Sequence, residues 1–77
     1  WMNFLKPDVQ LVLVAHSTYG NSFLNPVELI CKEARRNSIF SVVDVAQSLG
    51  VVPVDTSTWN SDFIIGSCVK WLCGGPG

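Results

Sequence analysis

The sequence predicts an α/β fold: a βαβ unit and one further strand in a parallel sheet. Three observations carry this reading. The runs 11–15, 39–43 and 63–66 are apolar almost throughout. Between the first two lies a stretch with helical periodicity and clear end signals. Continuous rather than alternating apolar runs mark strands buried on both faces, as in parallel sheets, and strand–helix–strand order makes the connection a right-handed crossover.

The first strand is Leu11-Val12-Leu13-Val14-Ala15, followed by a polar, Gly-containing loop from His16 to Ser22. Asn25 can cap the helix, Pro26 suits its first position, and Glu28 sits where a capping box places an acid. Val27, Ile30, Cys31 and Ala34 share one stripe. Arg35 and Arg36 set cations at the helix end, with Asn37 as C′ candidate. The second strand, Ile39 to Val43, ends at Asp44. Ala46 to Gly50 reads as a turn, Val51 to Asp55 as extended, and Thr56 to Ser61 as a loop or single helical turn. Phe63 to Gly66 is the third strand. One substantial helix covers only one face of a sheet, so the second layer is expected from outside these elements.

Composition narrows the function classes. Charged residues make up 14% of the 77, against roughly 25% in an average soluble domain, and apolar residues 48%. A chain this short buries only about 60% of its unfolded surface. With Trp1 at one end and Gly74-Gly75-Pro76-Gly77 at the other, residues 1–77 are expected to be the interior of a larger protein rather than a complete independent domain. A net charge of −1 leaves no electrostatic footprint for nucleic acid or an anionic membrane. The longest apolar run, 11–15, is too short to span a bilayer, and no signal-peptide pattern is visible. Cys31, Cys68 and Cys73 form neither a CxxC pair nor a metal-ligand set with the single His16. They read as buried or partly buried free thiols in a reducing, cytoplasmic setting.

The chemistry-bearing residues cluster at strand ends. Asp44 closes an apolar strand, where a carboxylate needs a partner; it either serves a ligand or caps a turn. Gln47 follows three residues later. Lys70 comes just after the third strand and before Trp71-Leu72, a position that would enclose its stem and favour the neutral, nucleophilic amine; the plainer reading is a surface lysine. Ser67 can bond a phosphate oxygen or the backbone. His16 is a ligand-site candidate or a hydrogen-bonded structural histidine. Tyr19 can reach the same crevice, and Asp62 turns the chain into its strand. Strand ends of a parallel sheet are where such folds bind ligands, and an acid with a lysine there suits pyridoxal phosphate (PLP).

Two motifs extend this. Asp44-x-x-Gln47-Ser48-x-Gly50-x-x-Pro53-Val54-Asp55, then Asp62-Phe63-x-x-Gly66-Ser67-x-x-Lys70-Trp71-Leu72-x-Gly74-Gly75-Pro76-Gly77, resemble the class V aminotransferase family of fold-type I PLP-dependent enzymes. That family includes cysteine desulfurases, serine–glyoxylate-type aminotransferases and kynureninases. The likeness runs from the Leu11 strand to the last glycine. It implies a fragment of the parallel-sheet, PLP-binding large domain. It also implies that the parent transforms a small amino acid by transamination, desulfuration or kynureninase-type cleavage. By resemblance, Lys70 holds PLP as a Schiff base and then acts as general base at the substrate Cα. Asp44 keeps the ring nitrogen protonated, Gln47 contacts the phenolic oxygen, Ser67 the phosphate, and Tyr19 lines the same site. The resemblance also implies a homodimer. Two departures stand out: Val69 occupies a position that usually holds His or Tyr, and Asn21-Ser22 stand where kynureninases carry Thr-Gly. The competing reading is a truncated or degenerate relative acting only as a structural or interaction module.

Overall fold

A computed structural model of the chain describes residues 5, 6, 8–18, 20 and 23–75. Strand β1 (Leu11–Ala15), helix α1 (Val27–Arg36), strand β2 (Phe40–Asp44), the short helix α2 (Thr56–Trp59) and strand β3 (Phe63–Ile65) follow in order. The strands form one parallel sheet in the order β1-β2-β3. The α/β class and all three strand positions therefore match the sequence reading.

The stripe Val27, Ile30, Cys31 and Ala34 is fully buried, and α1 lays it on one sheet face. Val12 and Val14 of β1, Val43 of β2 and the following Val45 meet it there, with Ile39 and Trp59 completing the core. Spacings of three and four residues put these side chains on one side of a helix, and alternate strand residues supply the matching surface.

The opposite face is open, as a single substantial helix implies. Strand register aligns Leu11 with Phe40, Leu13 with Val42 and Val42 with Phe63. Leu11, Leu13, Phe40, Phe63 and Ile65 are each about half exposed or more. The strands carry the residues of a doubly covered sheet, yet among the described residues only one face is covered. Burial alternates along β1 and β2 for that reason.

Helix ends differ from the sequence reading in detail. α1 begins at Val27 with Pro26 at its cap and no side-chain cap bond. Asn25 does not cap: its Nδ2 donates to the Ala15 carbonyl at 2.7 Å, pinning the helix start to the end of β1. At the far end Asn37 is the C-cap, and the left-handed residue is Ser38, at φ 57°. α2 has the fuller cap. Asp55 Oδ1 accepts from the Ser57 and Thr58 amides and the Ser57 hydroxyl, and Asn60 closes the turn in the left-handed region. Asp62 locks β2 to β3: its Oδ2 accepts from the Ser41 amide at 2.8 Å and the Ser41 hydroxyl at 3.3 Å, while its own amide donates to Ser41 Oγ. Ser41, a polar residue in a buried run, is thereby satisfied.

The cysteines divide. Cys31 is buried, as expected, whereas Cys68 and Cys73 are exposed because both lie in the segment after β3, away from the α1 core. Burial pushes the Cys31 thiol up. No described helix is long and apolar enough to cross a membrane.

Candidate active site

Parallel strands end at a common edge, and here that edge gathers Ala15, Asp44 and Ile65 in one register. Backbone bonds carry the ladder one step further: the His16 amide donates to the Asp44 carbonyl at 2.9 Å and the Val45 amide to the Ile65 carbonyl at 2.8 Å. Asp44 belongs to the alternate set that faces away from α1, so its side chain lies on the open face. Its Oδ1 accepts the Ala46 amide at 2.9 Å; Oδ2 receives no hydrogen bond among the described residues. Of the two roles weighed from the sequence, the turn cap is the one this bond makes.

The chain after Asp44 folds into consecutive tight turns. The Val45 carbonyl accepts the Ser48 and Leu49 amides, and the Ser48 carbonyl accepts those of Val51 and Val52. Gly50 adopts φ +97°, a conformation that suits glycine, and a Cβ there would press Leu72 Cδ2 at 3.0 Å. The segment after β3 therefore lies against this turn. Trp71 fastens it, with Nε1 donating to the Gln47 carbonyl at 2.9 Å. That bond brings the residue next to Lys70 onto the turn that carries Gln47, 24 residues earlier in the chain.

Lys70 opens a reverse turn in which the Cys73 amide donates to its carbonyl, and the Gly74 amide donates to the Cys68 carbonyl. Cys73 in this turn adopts φ 57°; Pro76 and Gly77 lie outside the described residues. Lys70 is exposed, contrary to the enclosed stem expected from its neighbours. The apolar side chains around it are themselves exposed: Val69 is 48% and Trp71 57% exposed. Ser67 Oγ accepts the Val69 amide at 3.2 Å, the backbone role anticipated as its alternative. Tyr19 lies outside the described residues. An open cleft of about 460 Å³ adjoins Ser67, with Val45, Leu49 and Ile64 among its lining; Asp44 and Lys70 are not part of it. The cleft is mostly apolar, so the polar chemistry sits at its margin.

His16 turns out to be buried, 7% exposed, with Nδ1 2.8 Å from Ser48 Oγ and its ring edge-on to Trp59 at 4.5 Å. The other oxygen near the Ser48 hydroxyl, the Val45 carbonyl, is 3.5 Å away. The Ser48 hydroxyl thus lies between an imidazole nitrogen and a backbone carbonyl. Burial pushes the imidazole below its ordinary value of 6.5, favouring the neutral ring. Because the unfolded histidine protonates first, its contribution to stability is complete above about pH 6.5 and falls away at lower pH. Melting temperatures between about pH 5 and pH 8 should rise with pH and flatten, and His16→Phe should remove this histidine's part of the slope.

The arrangement now allows comparison with known proteins. The family model described as "Aminotransferase class-V" matches residues 2–77. The chain belongs to the class V aminotransferase family. Among the members of this family that it resembles is a kynureninase from Pseudomonas fluorescens, 30% identical over 73 residues, covering 95% of this chain and 18% of the relative. A 2-aminoethylphosphonate–pyruvate transaminase from Syntrophobacter fumaroxidans is 35% identical over 71 residues, covering 92% and 19% respectively. The apo structure of a cysteine desulfurase from Thermococcus onnurineus NA1 superposes with a TM-score of 0.90 at 29% identity, over 99% of this chain and 19% of that one. The chain thus spans about a fifth of the length of these relatives. As a class V aminotransferase fragment it contributes three parallel strands and the polar residues at their ends.

Those residues fit PLP in their chemistry. The open Oδ2 of Asp44 can accept a ring N–H, Gln47 and Ser67 offer neutral donors, and Lys70 offers an amine. Asn25, Asp62 and the Trp71 indole were not foreseen as supports. Only the Trp71 role had a sequence signal, an aromatic N–H next to the lysine.

Proposed function

We propose that the whole protein carries out a PLP-dependent transformation of a small amino acid, with Lys70 as the residue that takes the cofactor's aldehyde. The Trp71–Gln47 bond supports this most directly, since it ties the lysine's segment to the turn following Asp44 at the ligand-binding edge of the sheet. When bound, the cofactor supplies an electron sink for charge left at the substrate Cα. With the cofactor in place, Asp44 Oδ2 would hold a proton on the ring nitrogen, the Gln47 amide would orient the phenolic oxygen, and the Ser67 hydroxyl would donate to phosphate. Lys70 Nζ would accept the Cα proton. Transamination, desulfuration and kynureninase-type cleavage all begin with these acts. Relatives named for transamination and kynureninase activity, together with a desulfurase-like fold, support the general class.

The test is to add PLP to the whole protein, follow the absorbance, reduce with borohydride and map the modified peptide. The expected result is label on Lys70 and none at this peptide in Lys70→Ala. A folded protein that takes up no label would favour the second reading, a non-catalytic structural module, to which Val69 points because its side chain cannot hydrogen-bond a cofactor.

A further inference from the structure

We propose that His16 is a positioning residue for the cofactor site, holding the Asp44–Ser48 turn at both ends. This rests on the PLP reading above. The main chain of His16 fixes the first end, its amide donating to the Asp44 carbonyl at 2.9 Å. Its side chain fixes the second, Nδ1 lying 2.8 Å from Ser48 Oγ. One residue, at the end of the neighbouring strand, thus brackets the segment from which the Asp44 carboxylate and the Gln47 amide both hang.

The geometry leaves this clamp little freedom. Ser48 is fully buried and His16 nearly so, with Trp59 against the ring. A buried hydroxyl or imidazole that loses its partner bears the full desolvation cost, so the pair is held together more firmly than an exposed one. The Val45 amide, bonded to the Ile65 carbonyl, pins the start of the turn to β3. At the far end the His16 ring holds the Ser48 side chain, while Trp71 Nε1 holds the neighbouring Gln47 carbonyl. The expected consequence is specific: losing the ring nitrogen frees Ser48 and the Gln47 side chain beside it more than Asp44, whose carbonyl remains bonded to the His16 main chain, while the Gln47 carbonyl stays on the Trp71 indole.

The experiment uses the whole protein and three variants. His16→Phe keeps a ring against Trp59 but removes Nδ1. His16→Asn retains an acceptor near the Nδ1 position, and Ser48→Ala removes the other partner. Two quantities are read: the dissociation constant for PLP and the hydrogen-exchange rate of amides 45–49 without cofactor. His16→Phe and Ser48→Ala should each weaken PLP binding about tenfold, the scale of one lost hydrogen bond beside a ligand-holding group, and speed exchange over 45–49. His16→Asn should recover most of both effects, and combining His16→Phe with Ser48→Ala should add little to either. A melting temperature that falls while PLP affinity stays unchanged would assign His16 a purely structural role and overturn the inference. Unsubstituted protein that binds no PLP would instead remove the cofactor reading, and this inference with it. Tight binding kept in both His16→Phe and Ser48→Ala would overturn the inference alone.

Discussion

Asp44→Asn in the whole protein is expected to lower kcat/KM by about 10²–10³-fold, the scale of losing one preorganised electrostatic partner, with little change in melting temperature. The substitution separates the two roles of this carboxylate. Asparagine keeps an oxygen that can accept the Ala46 amide, so the turn that Oδ1 closes at 2.9 Å survives. What disappears is the negative charge on the second oxygen, which in the proposed site keeps a proton on the cofactor ring. Asp44→Ala, which also removes the turn bond, should add about 1 kcal/mol of destabilisation. Steady-state kinetics beside thermal melts distinguish the cases. Activity within a few-fold of the unsubstituted protein in Asp44→Asn would remove Asp44 from the site.

The largest structural effect is expected at Ile30. Its side chain is entirely excluded from solvent at the centre of the α1 stripe, between Val27 and Ala34. Truncation to alanine removes buried methyl and methylene groups and leaves a void that neighbouring side chains only partly fill, at a cost of about 2–5 kcal/mol. Leu29, one residue earlier on the helix, is 56% exposed. Leu29→Ala is therefore expected to shift stability by about 0.5 kcal/mol or less. Denaturant titration of both variants measures the difference directly. Equal effects would mean that α1 does not bury the stripe in the folded protein.

Much of this architecture was legible in the chain. A stripe at positions 27, 30, 31 and 34 can face one way only on a helix, and continuous apolar runs flanking it leave few alternatives to a parallel pair. Asp44, Gln47, Ser67 and Lys70 were identifiable because polar residues ending apolar strands need a reason to be there. The resemblance sharpened that list into roles. Other features were not legible, since they depend on neighbours distant in sequence. Asn25 has the residue type and position of a helix cap, yet its side chain turns to donate to a carbonyl ten residues earlier and makes no cap bond to the helix. Lys70 has apolar neighbours, but those neighbours are themselves about half exposed, so they do not enclose it.

The sequence by itself determined the local elements, because hydrophobic period and end residues act within a few positions of chain. It also determined the identity of the polar groups at the strand ends. Only the tertiary structure decided which of those groups meet. Parallel pairing brought Ala15, Asp44 and Ile65 to one edge, the Trp71 indole drew the lysine segment onto the Gln47 turn, and His16 reached Ser48 across 32 residues. Each of these is a long-range contact whose geometry follows from sheet register and core packing, quantities that no local pattern encodes.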